Sequence, residues 1–142
     1  MRTLLIALLL AVPAAHAQNL AANKKAVVEF YQKAINDKDF DAAAKYLGSR
    51  YIQHNPVAAD GAEGLKGFIG FLKSKFPNAK SEIKRVIAEG DLVMTHGLIK
   101  TSPDDRGLAA ADIFRLENGK IVEHWDVVQP VPETAANDNT MF

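Results

Sequence analysis

An α+β domain is what the sequence predicts, with helices gathered in the first half of the chain and strands in the second. Two observations carry this. Apolar residues recur at three- and four-residue spacing from Asn19 to about Asp37 and again from about Glu63 to Phe76, whereas from Ser81 to Gln129 they run in short, often alternating stretches broken by turn residues. The last of those turns is Asn118-Gly119, a pair that tolerates the two positive φ values of a type I′ turn, so its flanks should be antiparallel strands. Helices first and hairpin-linked strands afterwards argue for one curved antiparallel sheet wrapped around three N-terminal helices, and against a parallel α/β sheet.

The chain opens on what reads as an export signal. Arg2 supplies a positive n-region, Leu4 to Val12 a short apolar stretch, and Ala15-His16-Ala17 a small-x-small cleavage site, so the mature protein should start at Gln18 and lie in the periplasm or outside the cell. The apolar stretch is too short to span a bilayer and Pro13 breaks it, and no later segment could be inserted in a membrane. Residues 18–142 then form a single domain, 125 of the 142 residues, enough for one core. In the first helix Val27, Val28, Phe30, Tyr31, Ala34 and Ile35 make the apolar stripe. Asp39 can cap a second helix from Phe40 to Leu47, which Gly48 would end. Pro56 takes Asn55 out of helical geometry, and residues 57–62 read as a loop. The third helix, about Glu63 to Phe76, is closed by Pro77. Four strands follow, Ser81 to Ala88, Leu92 to Lys100, Leu108 to Leu116 and Lys120 to Gln129.

Composition excludes several functions. The full chain carries 17 basic and 17 acidic residues, and without Arg2 the balance is 16 against 17, which offers no electrostatic footprint for nucleic acid. It has no cysteine, hence no disulfide, thiolate metal site or thiol nucleophile. Scattered histidines without close His-x-His or HExxH spacing give no reason to expect a metal, and no cofactor motif is present. What calls for explanation is that Asp112, His124 and Asp126 interrupt apolar, strand-forming runs, where an uncompensated charge is costly.

Taken together, Tyr51-x-Gln53-His54-Asn55-Pro56, Asp112-x-Phe114-Arg115, Gly119-Lys120-Ile121-x-Glu123-His124-Trp125-Asp126 and the terminal Asn137 to Phe142 make a recognisable pattern. The chain resembles the SnoaL-like polyketide cyclase group of the nuclear transport factor 2-like superfamily, in particular its branch of aldol-condensation-type proteins. The resemblance implies a cone-shaped α+β barrel with an apolar pocket at its wide end, a homodimer packed through the sheet, and an Asp assisted by a His that work as acid and base without a cofactor. The matching positions are Asp112 and, on the preceding strand, His96.

Strand periodicity places Asp112 with Ala110, Phe114 and Leu116, an apolar set that should face the interior, and burial generally suits a carboxylate to take a proton from carbon next to a carbonyl. His96 shares a face with Leu92, Met94 and Leu98. On the last strand two faces compete. One carries Trp125 and Gln129 and is expected to line the pocket; with the register reversed, His124 and Asp126 become the catalytic candidates. His54 and Asn55, at the pocket mouth, are candidates for holding substrate, although Asn55 can equally cap the turn before Pro56. Two functions remain open: an exported acid/base enzyme acting on a carbonyl compound (aldol, isomerase or dehydratase chemistry), and a non-catalytic binding protein for a small apolar ligand.

Overall fold

The computed structural model describes the backbone from Val12 to Phe142 and the side chains from Asn19 onward; Arg2 and the Leu4 to Ala11 part of the expected signal lie outside the described residues. Helix α1 spans Val12–Tyr31 and runs on into a π-helical turn, Gln32–Asn36. Its apolar stripe seats Val27, Phe30, Tyr31 and Ala34 in the core. The end of this turn is stitched to the sheet: the Asn36 amide donates to Ser81 O at 2.9 Å while the Ser81 N–H donates back at 2.7 Å. Asp39 caps α2, Phe40–Ala44, by accepting from the Ala42 N–H at 3.0 Å.

Beyond α2 the structure departs from the sequence reading. The helix stops at Ala44, and Leu47–Gln53 is a strand, β1, where the sequence predicted a helix end followed by irregular chain. Gly48 accordingly does not stop a helix. A Cβ there would lie 2.7 Å from Val122 Cγ1, so glycine is what lets β1 approach its neighbour. Helix α3, Gly61–Lys75, follows, then β2 (Lys80–Glu89), β3 (Leu92–Lys100), β4 (Leu108–Glu117) and β5 (Lys120–Pro130), within two residues of expectation. Asn118 and Gly119 have φ of 51° and 73°, the left-handed pair that the I′ turn requires.

The five strands form a curved, open sheet in the order β1-β5-β4-β3-β2. Four are antiparallel neighbours, and β1 joins the edge parallel to β5, so the sheet is mixed rather than wholly antiparallel. The helices cover the concave side, an α+β cone as expected. Its core centres on Phe114, which meets Phe30 and Tyr31 edge to face at ring distances of 5.9 and 6.3 Å. The convex side leaves Leu92, Met94, Ile113 and Val127 exposed.

Register decides which polar groups look inward. Thr95 stands opposite Asp112, and Asp112 opposite Asp126, across three adjacent strands; Phe114 and Gln53 both pair with His124. A bulge between Arg115 and Leu116 shifts the pairing, so Ile121 and His124 can both serve the concave side although their spacing is odd.

Candidate active site

A polar cluster sits on the concave side of the sheet, on a cavity of about 90 Å³ whose walls include Phe30, Leu65, Phe68 and Ile99. Asp112, on β4 and 6% exposed, is its centre. Its Oδ2 accepts from the Tyr31 hydroxyl at 3.2 Å and the Thr95 hydroxyl at 3.3 Å, and its Oδ1 faces His124 Nε2 at 3.2 Å. A carboxylate offers about four acceptor sites, so three bonds leave one on Oδ1 unfilled.

His124 is held from its other side. Nδ1 lies 2.7 Å from Gln53 Oε1, and the Gln53 amide nitrogen in turn donates to the Tyr51 hydroxyl at 3.2 Å. With the amide so oriented, Gln53 presents an acceptor, and Nδ1 must carry a hydrogen. A hydrogen bond across the 3.2 Å Nε2···Oδ1 contact then needs one further hydrogen, carried on either atom. The Phe114 ring backs the imidazole at 4.7 Å between ring centres.

Burial, and then the charge of Asp112, push the Tyr31 phenol well above its ordinary range; burial does the same to Tyr51. Both therefore remain hydroxyl donors at any working pH. Tyr31 spends its hydrogen on Asp112. Tyr51 accepts from Gln53, and its own hydrogen is committed to no acceptor among the described residues.

Asp126 lines the same cavity, its Oδ2 held by the Asn55 side-chain amide at 2.6 Å. Asn55 also accepts the Val57 N–H at 2.9 Å, so it both caps the turn and reaches the pocket. Asp112, His124 and Asp126 offer ligand atoms all within 4.8 Å of one another, the set that could hold a cation. Each is already engaged with a neighbour, and a cation would have to replace the Asp112–His124 contact.

Of the residues singled out in the sequence, Asp112, Phe114, Asn55, His124 and Asp126 meet at the cavity. The pairing of Asp112 with His96 does not occur. His96 stands opposite Ala111, one step out of phase with Asp112, and faces the convex side, where it contacts Arg85 at 3.2 Å and stacks on Phe142 at 5.8 Å. The expected pocket face of β5 is likewise exchanged for the alternative one: Trp125 and Gln129 are convex-side residues, and His124 and Asp126 point inward. His54 turns outward as well, stacked on Trp125 at 4.6 Å and bonded to Glu123 at 2.9 Å. The His54 bond, then the Arg115 guanidinium, hold Glu123 below the usual carboxylate range. Tyr31, Tyr51, Gln53 and Thr95 were not among the sequence candidates. Reading 47–53 as a strand would have put Tyr51, Gln53 and Asn55 on one face by simple alternation.

The family model of the SnoaL-like domain matches residues 27–124. The chain belongs to the SnoaL-like domain family. Solved structures agree on the fold of this SnoaL-like domain. A protein provisionally assigned as a polyketide cyclase from Bacillus cereus ATCC 10987 superposes with a TM-score of 0.66 at 22% identity, covering 75% of this chain and 74% of that one. A SnoaL-like protein from Jannaschia sp. CCS1, with a similar provisional assignment, gives 0.64 at 20% identity over 76% and 85% of the two chains. A provisionally assigned hydroxylase from Streptomyces galilaeus gives 0.61 at 20% identity over 80% and 82%. No curated protein sequence matches the chain.

Proposed function

We propose that the protein is a cofactor-independent acid/base enzyme that enolises a carbonyl compound, as the first step of an aldol, isomerase or dehydratase reaction. The observation that supports this is the 3.2 Å contact between Asp112 Oδ1 and His124 Nε2 on a cavity whose other walls include Phe30, Leu65, Phe68 and Ile99. In the carboxylate form, the free lone pair on Asp112 Oδ1 takes the proton from the carbon next to the carbonyl. The C–H electrons become the enolate double bond, and the oxygen that gains charge meets the uncommitted hydrogen of Tyr51. His124, fixed by Gln53, keeps the second proton of the pair available for return to carbon or to oxygen.

A non-catalytic reading, a binding protein for a small apolar ligand, draws on the same geometry, since three hydrogen bonds also satisfy a purely structural Asp112. Proton exchange separates the two. In deuterated water the wild type should accelerate exchange at the α-carbon of small ketones or β-dicarbonyl compounds, and Asp112→Asn or His124→Gln should remove about a hundredfold or more of that acceleration. His96→Gln, on the opposite face, should leave it in place. A panel on which the wild type accelerates nothing favours the binding protein.

The export signal in residues 1–17 and assembly as a homodimer complete the proposal. Cleavage after Ala17 predicts an exported protein whose first residue is Gln18, read by N-terminal sequencing. The exposed apolar residues of the convex sheet face support pairing with a second copy, and mass by light scattering tests it.

A further inference from the structure

Beside the cavity that holds Asp112 lies a second, larger hollow of about 810 Å³ on the outer surface of α3. Ala58 and Phe68 line both. The two are thus neighbouring chambers separated by a partition of two side chains, one on the loop after Asn55 and one on α3. The outer cleft is built of small and apolar residues: Val57, Ala59, Gly64, Gly67 and Phe71 supply most of the remaining wall. Val57 is 85% exposed and Phe71 49%, an unusual cost in apolar surface for residues so close to a polar site.

Two details show how the cleft is kept open. A Cβ on Gly64 would collide with the Ala59 carbonyl, so glycine here lets the 57–60 loop lie directly against the helix. A Cβ on Gly67 would meet nothing within 4 Å, so this glycine leaves room that no side chain of the protein fills. A glycine inside a helix costs about 1 kcal/mol relative to alanine, and here it fills no packing role.

Size and charge then narrow the occupant. Small-molecule sites ordinarily enclose about 300–1,000 Å³. The inner chamber alone falls short of that range, and the outer one lies within it. Neither chamber is lined by a lysine or arginine, while Asp112 and Asp126 face the inner one and Asp60 and Glu63 the outer. A carboxylate, phosphate or thioester-linked nucleotide would find no lysine or arginine and four acids, with His124 already turned to Asp112.

We infer that the substrate is an uncharged amphiphile, with a small carbonyl head in the inner chamber and an apolar tail leaving past Ala58 and Phe68 into the cleft along α3. This rests on the enolisation reading for the identity of the head; the tail and the neutrality come from the cleft. The head group reaches Asp112 and His124, and the tail supplies most of the binding energy.

The test is a calorimetric titration of the full chain with straight-chain methyl ketones from butanone to undecanone, and with n-alkanoates of matching length. Once the tail enters the cleft, affinity for the ketones should rise about fourfold per methylene, the equivalent of about 0.8 kcal/mol. The alkanoates should bind about tenfold or more weakly than ketones of equal length. Gly67→Leu, which fills the empty space and favours the helix, should flatten the chain-length slope, and so should Val57→Asp at an exposed position that tolerates it. A slope that is flat in the wild type, a slope that survives both variants, or alkanoates that bind as well as ketones would overturn the inference. Because binding is read without turnover, a steep slope with no proton exchange would sink the enolisation reading and leave the two-chamber site standing.

Discussion

Tyr31→Phe removes a single oxygen and asks whether Asp112 carries charge. The hydroxyl lies 3.2 Å from Asp112 Oδ2, both residues are buried, and the ring itself stays packed edge to face on Phe114. A hydrogen bond to a charged group contributes about 1.5–3 kcal/mol, against about 0.5–1.5 for a neutral one. The loss expected in the wild-type background is therefore about 2 kcal/mol, and in an Asp112→Asn background about 1 kcal/mol. With a urea slope of about 1.5 kcal/mol per molar, the first loss lowers the unfolding midpoint by about 1.3 M and the second by roughly half that. Equilibrium urea unfolding followed by circular dichroism reads both, provided the slope is the same in all four proteins. Equal losses in the two backgrounds would mean that Tyr31 donates to an uncharged group, and the imidazolium–carboxylate form of the pair would then be the minor one.

Two further outcomes follow from positions away from the cluster. Asp105 accepts from the Thr101 N–H, the Gly107 N–H and the Thr101 hydroxyl, and these bonds, that of Thr101 N first, bring its pKa from 3.8 down to about 2. A lowered carboxylate contributes above its unfolded value and loses that contribution as pH falls through its folded one. The loop from Thr101 to Gly107 should thus open between about pH 4 and pH 2, seen as lost amide protection at Thr101 and Gly107, and Asp105→Asn should abolish that pH dependence. Gly48→Ala and Gly67→Ala should move the melting temperature in opposite directions. The first drives a methyl group against the stiff Val122 side chain at 2.7 Å and costs about 1–3 kcal/mol, whereas the second meets open space and gains about 0.5–1 kcal/mol.

Much of this fold could be read from local signals. Asp39, Asn118-Gly119 and Pro77 mark their boundaries by chemistry that acts within a few residues, and the ends they mark are where the sequence puts them, although the helix that Asp39 starts stops short at Ala44. Strand β1 was hidden because its partner is distant: Leu47–Gln53 lacks clean alternation, and its pairing with β5 is irregular between Leu47 and Ile52. The site was legible in its residue types and not in its geometry. Asp112 announces itself as a charge in an apolar strand. Which histidine it meets depends on the β3–β4 register, fixed by a loop whose length gives no such information, and on a bulge that breaks the alternation of β5. The choice between the two faces of β5 by way of its tryptophan failed for this reason. Trp125 is amphipathic enough to sit outside, where His54 covers it.

The consecutive residues His54 and Asn55 straddle β5. The His54 N–H donates to His124 O at 2.9 Å, its ring lies on Trp125 and reaches Glu123 on one side, and Asn55 reaches Asp126 on the other. Neighbours in sequence are thereby assigned to separate selective regimes. Among relatives, position 55 should covary with 126 and track changes in ligand chemistry, while position 54 should covary with 123 and 125 and track only the upkeep of the sheet edge. Insertion of one residue before this pair would exchange the two roles at once, so drift in the length of the segment leading into it should be far more constrained than drift in its composition.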